Sequence, residues 1–335
     1  MKAQEYLEEK IKNCSKYELT SLDEKFLEEN GIDKFIYKEL TSGKFRKWSV
    51  DDSSIEKVKG AIKNSVDNNE PIKCTHPFGG YKLWRIPTSP EVDWAEFLMI
   101  SYYCQYLSPI LKAYKPGIEF IFSSDDLIIE RMNNVPKEDT DAYFESFRVL
   151  LKEFSKYFPD NMKMEIRRVY DLYKDKKELE SDLANNLKRF ESEYRDKDED
   201  QKEIAFKSSE LNFNFNGKED LTKLSAEEKK EKIRLGTILH DAHCKLPKRK
   251  SFVRGDDKIV IFTTKISNAI AIGTTKSSVT KFWTGLGVLE KGANGFKDIV
   301  LSPKQIEEID IKQTKSEKID LIPLKNFSEI KIKAK

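Results

Sequence analysis

The stretch Ile118-Glu119-Phe120-Ile121-Phe122-Ser123-Ser124-Asp125-Asp126 decides the reading of this chain. Its first five residues are almost wholly apolar, the pattern of a strand buried on both faces in a parallel sheet. Lys115-Pro116-Gly117 halts the segment before it, because proline cannot continue a helix and glycine permits a turn. The polar cluster Ser123-Ser124-Asp125-Asp126 then leaves the strand at its carboxyl end, where open α/β sheets place ligand-binding residues.

Upstream of the turn, a helix is predicted from Glu91 to about Tyr114, opened by Pro90 after Ser89 and rich in Trp94, Phe97, Leu98, Ile100, Tyr103, Leu107 and Leu111. Before it, PIKCTHPF reads as a strand running into Gly79-Gly80, so strand, helix and strand make a βαβ unit. The chain to about Lys47 is a helical preface. Ser49 and Asp51 can cap a further helix with Ile55, Val58, Ile62 and Val66 on one face.

Downstream, a helix from roughly Asp139 to Tyr157 leads to a strand at Met162 to Val169. Residues from about Lys174 to Lys230, with EYRDKDEDQKE among them, are the most charged part and read as exposed helices with a mobile connection, a solvated insertion. Ser225 and Glu228 make a capping box for a helix through Ile233, Leu235, Ile238 and Leu239, ending near Lys245-Leu246-Pro247. KIVIFTT and NAIAIG read as strands, FWTGLGVLE is strand-like, and DIVLSPKQIEEI and FSEIKIKA close the chain.

The expected architecture is a Rossmann-like α/β fold, a mostly parallel sheet flanked by helices. Residues 1–70 form a helical segment packed on the core, and residues 71–335 a catalytic domain with the charged helical insertion at about 174–230.

At 335 residues, 38% of them hydrophobic, the chain can bury a full core. Lys and Arg number 60 against 58 Asp and Glu, a net charge of +2, so no global field draws the protein to nucleic acid or an anionic membrane. The four cysteines lie apart with no CxxC pair, which points to reduced thiols rather than a disulfide framework or zinc ribbon. MKAQEYLEEKIKN lacks a signal peptide's apolar run, and no stretch has the apolar length of a membrane span. The expectation is a cytoplasmic enzyme whose partners are small molecules.

Several constellations carry candidate chemistry. His76-Pro77-Phe78-Gly79-Gly80-Tyr81-Lys82-Leu83-Trp84-Arg85 joins glycines that let backbone approach a ligand to the positive charges of Lys82 and Arg85. Asp93 and Glu96 share a face of the following helix, as proton-transfer groups or as N-terminal helix charges. Asp125 and Asp126 could bind an amine, a sugar hydroxyl or a metal, or cap the next segment. Gly273-Thr274-Thr275-Lys276-Ser277-Ser278-Val279-Thr280-Lys281 clusters hydroxyls and lysines after an apolar strand, the best phosphate-loop candidate, although it lacks the Walker A order. Lys245, Lys248, Arg249, Lys250 and Arg254 form a basic run, either a solvated surface or a phosphate clamp. In His240-Asp241-Ala242-His243-Cys244, His240 and Cys244 would share a helical face. HxxHC is a weak metal pattern, and neither a metal nor a cofactor is expected.

The order of these motifs is similar to a known family. Pro77-Phe78, Lys82, Pro90-Glu91-Val92-Asp93-Trp94-Ala95-Glu96, Tyr114-Lys115-Pro116-Gly117 and Ser124-Asp125 follow one another as in the isocyanide synthase family of pyoverdine and dityrosine biosynthesis. The resemblance covers about residues 71 to 285, with gaps. It implies an enzyme that condenses an amino acid's amine with the ketone of ribulose 5-phosphate and converts that nitrogen to an isonitrile. It implies a phosphate clamp from Lys82, Arg234 and Lys281, and proton transfer or amine binding by Asp93, Glu96 and Asp125. His76 joins the catalytic candidates, and Arg85, Thr274, Thr275, Lys276 and Ser277 the phosphate-binding ones. Where the family's strand reads I-R-L-S-I-H, this chain has Ala271, Gly273 and Thr275, and SDG becomes Ser124-Asp125-Asp126.

Overall fold

Five parallel strands, β1 (Ile72–Phe78), β2 (Ile118–Ser124), β3 (Met162–Arg168), β4 (Ile259–Phe262) and β5 (Ile270–Ala271), lie in the order β3-β2-β1-β4-β5. The computed structural model describes residues 3–43, 50, 52–79, 91–214, 221–263, 267–272, 279–293, 295–302, 305–306, 311–315 and 326–331. β2 is buried along almost its whole length, with Phe120 and Phe122 wholly covered, as its apolar run requires. With helices against the sheet, this is the Rossmann-like α/β arrangement expected from the sequence.

Four helices precede the sheet: α1 (Ala3–Asn13), α2 (Ser21–Asn30), α3 (Ile32–Leu40) and α4 (Asp52–Asp67). Leu7, Ile11, Ile36, Leu40, Val58 and Ile62 join the same hydrophobic core as Ile72, Phe120 and Phe122. Ser49 and Asp51, read as caps for α4, lie outside the described residues.

Helix α5 (Trp94–Ala113) connects β1 to β2, and it starts three residues later than Pro90-Glu91 suggested. Asp93 sets the start. Its carboxylate accepts from the Ala95 backbone NH at 2.7 Å, while Glu96 accepts from the Asp93 NH at 2.8 Å. This closed capping box satisfies orphan amides that a helix begun at Glu91 would leave open. From β2 the chain enters α6 (Asp126–Asn133) and α7 (Lys137–Phe154), and α7 packs on β3.

The charged region is helical, α8 (Lys176–Asp196) and α9 (Glu199–Asn214), but α8 is not the solvated helix expected, while residues 215–220 of the region lie outside the described residues. Leu179, Leu183, the partly buried Leu187, Phe190 and Tyr194 recur every three or four residues along α8 and pack against Leu127, Val169, Ile238, Ala242 and Leu246. An apolar stripe hidden among charges is still a core-facing stripe. Only Lys197 and Asp198 separate the two helices, and Asp198 accepts from the Gln201 NH at 2.8 Å. Next come α10 (Ala226–Cys244), opened by the Ser225–Glu228 capping box, and α11 (Pro247–Arg254), which packs on β1 and β4.

A second sheet follows, with β6 (Leu286–Gly292), β7 (Gly295–Leu301), β8 (Ile311–Lys315) and β9 (Asn326–Lys331) in the order β7-β6-β9-β8. β6–β7 and β8–β9 pair antiparallel and β6–β9 parallel. The single strand-like FWTGLGVLE divides into a 3-10 turn, Val279–Thr284, and β6. The turn's Phe282 and Trp283 are buried in the main core. Asp93 ties the second sheet to α5 by accepting also from the Gly287 NH at 3.1 Å.

Candidate active site

The strand order reverses between β1 and β4, and ligands of open α/β sheets bind beyond the carboxyl ends of strands at such a switch point. A cavity of about 110 Å³ lies there. Phe78 and Gly79 line it from the end of β1, Asp125 from the end of β2 and Phe262 from the end of β4. Ile128, Ile129, Met132 and Asn133 on α6, His240 on α10 and Trp283 complete the wall. A mostly apolar wall with a few convergent polar groups is the usual make-up of a small-molecule site.

Asp125 is held from both sides. The Arg249 Nε donates to its Oδ1 at 2.8 Å and Nη2 to its Oδ2 at 2.8 Å, a bidentate fork, and His243 Nε2 lies 3.2 Å from Oδ1. Arg249 and His243 are themselves 4% and 1% exposed. Burial pushes the Asp125 carboxyl up, but Arg249 and His243 outweigh it and hold it down at about 2. Burial lowers His243 to about 4, so at neutral pH the ring is uncharged. With Asp125 ionised and able only to accept, the proton of that neutral ring sits on Nε2. Nδ1 is buried with no partner.

Asp126 points elsewhere. It pairs with Arg168 at the end of β3, which also meets Glu130 at 3.3 Å and Asp141. Burial pushes the Asp126 carboxyl up, to about 7, against the pull of that guanidinium. The network binds the carboxyl ends of β2 and β3 to α6 and α7.

Two further polar groups face the cavity. Asn133 is 5% exposed and its Nδ2 is buried without a partner. His240 is partly exposed, and the Cys244 Sγ, one helical turn on, lies 3.8 Å from its Nε2.

The chain has the fold of PvcA. The crystal structure of the PvcA protein from Pseudomonas aeruginosa matches 90% of this chain and 99% of that chain with a TM-score of 0.59, at 13% sequence identity. No family model matches the sequence, and no curated protein matches it. A likeness at this identity carries the architecture and not the reaction.

The residues picked out in the sequence have separate fates. Asp125 lines the cavity, at the carboxyl end of the strand as expected. Asp93 and Glu96 share a helical turn as expected, but they are occupied in the capping box, and Glu96 is fully buried, accepting from the Tyr143 OH at 2.8 Å. His76 is fully buried on β1 among Tyr103, Phe122, Phe282 and Trp283, with Nδ1 2.6 Å from the Tyr103 OH. Burial drops its pKa to about 3, and the ring stays neutral. Arg234 is not brought to this cavity. It pairs with Glu231 at 2.7 Å and lines a groove between the helices of the charged region. Lys82, Arg85, Thr274, Thr275, Lys276 and Ser277 lie outside the described residues, as does the side chain of Lys281.

Sequence reasoning missed three of the groups assembled here. Arg249 sat within a basic run read as either a solvated surface or a phosphate clamp, His243 within a weak HxxHC pattern, and Asn133 carried no local signal. The i,i+4 spacing of His240 and Cys244 was the one readable clue.

Proposed function

We propose that this protein is a biosynthetic enzyme akin to the isocyanide synthases, acting on the amine of an amino acid and on a pentulose phosphate. The observation that carries the reading is the cavity at the sheet's switch point, with Asp125 at the position that the family resemblance assigns to the site. The fold shared with PvcA over nine-tenths of the chain supports it. In this reading Asp125, held near pKa 2, does not carry protons at neutral pH. It orients Arg249 and His243 and adds negative potential for an amine. Lys82, Arg85, Lys276 and Lys281, with the hydroxyls of Thr274, Thr275 and Ser277, are proposed for the phosphate. They follow β1 and β5 in the chain, two strands that run in the same direction.

The test is mass spectrometry of the purified protein incubated with ribulose 5-phosphate and each amino acid in turn. The expected result is a product with the mass of an isonitrile. Consumption of the sugar phosphate without that mass would favour another transfer reaction on the same fold, and no turnover with any pair would overturn the enzyme reading.

A further inference from the structure

His240 and Cys244 stand one turn apart on α10, so their side chains leave the same face, and the Cys244 Sγ lies 3.8 Å from Nε2 and 4.0 Å from Nδ1 of the ring. His240 also lines the cavity. We propose that Cys244 and His240 form a nucleophile and acid pair that adds to the carbonyl carbon of a small aldehyde or ketone bound in this cavity.

Three observations point to that ligand class. A carbonyl oxygen needs hydrogen-bond donors once the carbon is attacked, and the buried, unpartnered Nδ2 of Asn133 is such a donor at the cavity wall. The cavity, at about 110 Å³, suits a small reacting group. Cys244 is partly exposed as a residue and packs beside Ile128 and Met132 of the cavity wall, whereas Cys14, Cys74 and Cys104 are buried at 1%, 0% and 0% exposure.

The charges around the thiol support it. Burial pushes Cys244 up, but the His240 ring and the Arg249 guanidinium together pull it below its ordinary value, with Asp125 opposing. Cys244 in turn, with a smaller share from Asp241, raises His240 to about 10 despite burial. Asp125 is paired with the Arg249 guanidinium, which limits its opposing pull on the thiol. A thiolate beside an imidazolium is the reactive form of such a pair.

In the step itself, a bond forms between Sγ and the carbonyl carbon, and the π electrons move to oxygen. The His240 proton passes to that oxygen, giving a hemithioacetal. Nothing is oxidised or reduced, and reversal regenerates the pair. The inference rests on the cavity being the active site and does not need isonitrile chemistry.

The test uses the full-length native protein, iodoacetamide and peptide mass spectrometry from pH 5.5 to 9, with glutathione in the same tube as reference. Cys244 is expected to alkylate at least about tenfold faster than glutathione at pH 6.5, with a midpoint below the ordinary thiol value of about 8.5. His240→Gln should move the midpoint up towards that value. Millimolar glycolaldehyde should slow Cys244 at least about threefold more than it slows glutathione. A Cys244 that reacts only after denaturation, or with an ordinary profile in both proteins, would overturn the pair. Rapid alkylation without protection would overturn the carbonyl assignment. A reactive Cys244 in a protein that makes no isonitrile would keep this inference and remove the synthase reading, and an isonitrile product with an inert Cys244 would do the reverse.

Discussion

The carboxylate of Asp125 has two buried partners whose positions depend on it. Asp125→Asn keeps the size of the side chain but removes the acceptor pair, leaving the Arg249 guanidinium, 4% exposed, without its counter-charge. Breaking one side of a buried pair typically costs about 3–5 kcal/mol, and we expect a loss of that order in urea unfolding. Nothing in the sequence alone places Arg249 against this carboxylate. The pH dependence follows from the same contacts. The folded pKa of Asp125, about 2, lies below the unfolded value of about 3.9, so the stabilisation is fully present above pH 4 and is lost as pH falls through 2. His243, lowered to about 4 against an unfolded value of about 6.5, erodes stability earlier, as pH falls from 6.5 to 4. Acid titrations of unfolding should therefore flatten below pH 4 for Asp125→Asn and between pH 6.5 and 4 for His243→Gln. Wild-type slopes retained in both windows would sink this assignment.

At the scale of elements, what was legible in the sequence was what local pattern dictates. The apolar run Ile118–Phe122, the turn at Lys115-Pro116-Gly117 and the Ser225–Glu228 capping box each determine structure within a few residues, and each is found where expected. Contacts between distant segments were not legible, because nothing local to Arg249 distinguishes a guanidinium aimed at Asp125, 124 positions away, from its solvated neighbours. The charged region failed in another way: its abundant charges masked a sparse apolar stripe. Leu183 is 1% exposed in that stripe, so Leu183→Ala should destabilise by about 2–5 kcal/mol, read as a lowered urea midpoint with unchanged slope. A change under about 0.5 kcal/mol would restore the solvated reading of this helix.

For the whole molecule, the question is what joins the parallel sheet to the second sheet beside it. One close approach is backbone to backbone: a Cβ built on Gly287 of β6 would stand 2.0 Å from the Ala95 backbone nitrogen at the start of α5. The same place holds the Asp93 carboxylate, which accepts from both the Ala95 and the Gly287 NH. Helix start and strand are thus tied through one side chain, and only a residue without a Cβ lets them come this close. Gly287→Ala must push β6 away from α5 or break the cap, because neither backbone can yield as a flexible side chain would. The expected loss is about 3 kcal/mol or more, above the usual cost of overpacking. Gly60 provides the control, since a Cβ there meets nothing within 4 Å and the residue is exposed on α4. Gly60→Ala should stabilise the protein by roughly 0.5–1 kcal/mol through helix propensity alone. Thermal unfolding of both variants beside the wild type separates the two cases: the midpoint should fall sharply for Gly287→Ala and rise slightly for Gly60→Ala. A Gly287→Ala protein as stable as the wild type would mean that the two sheets are not held together at this contact.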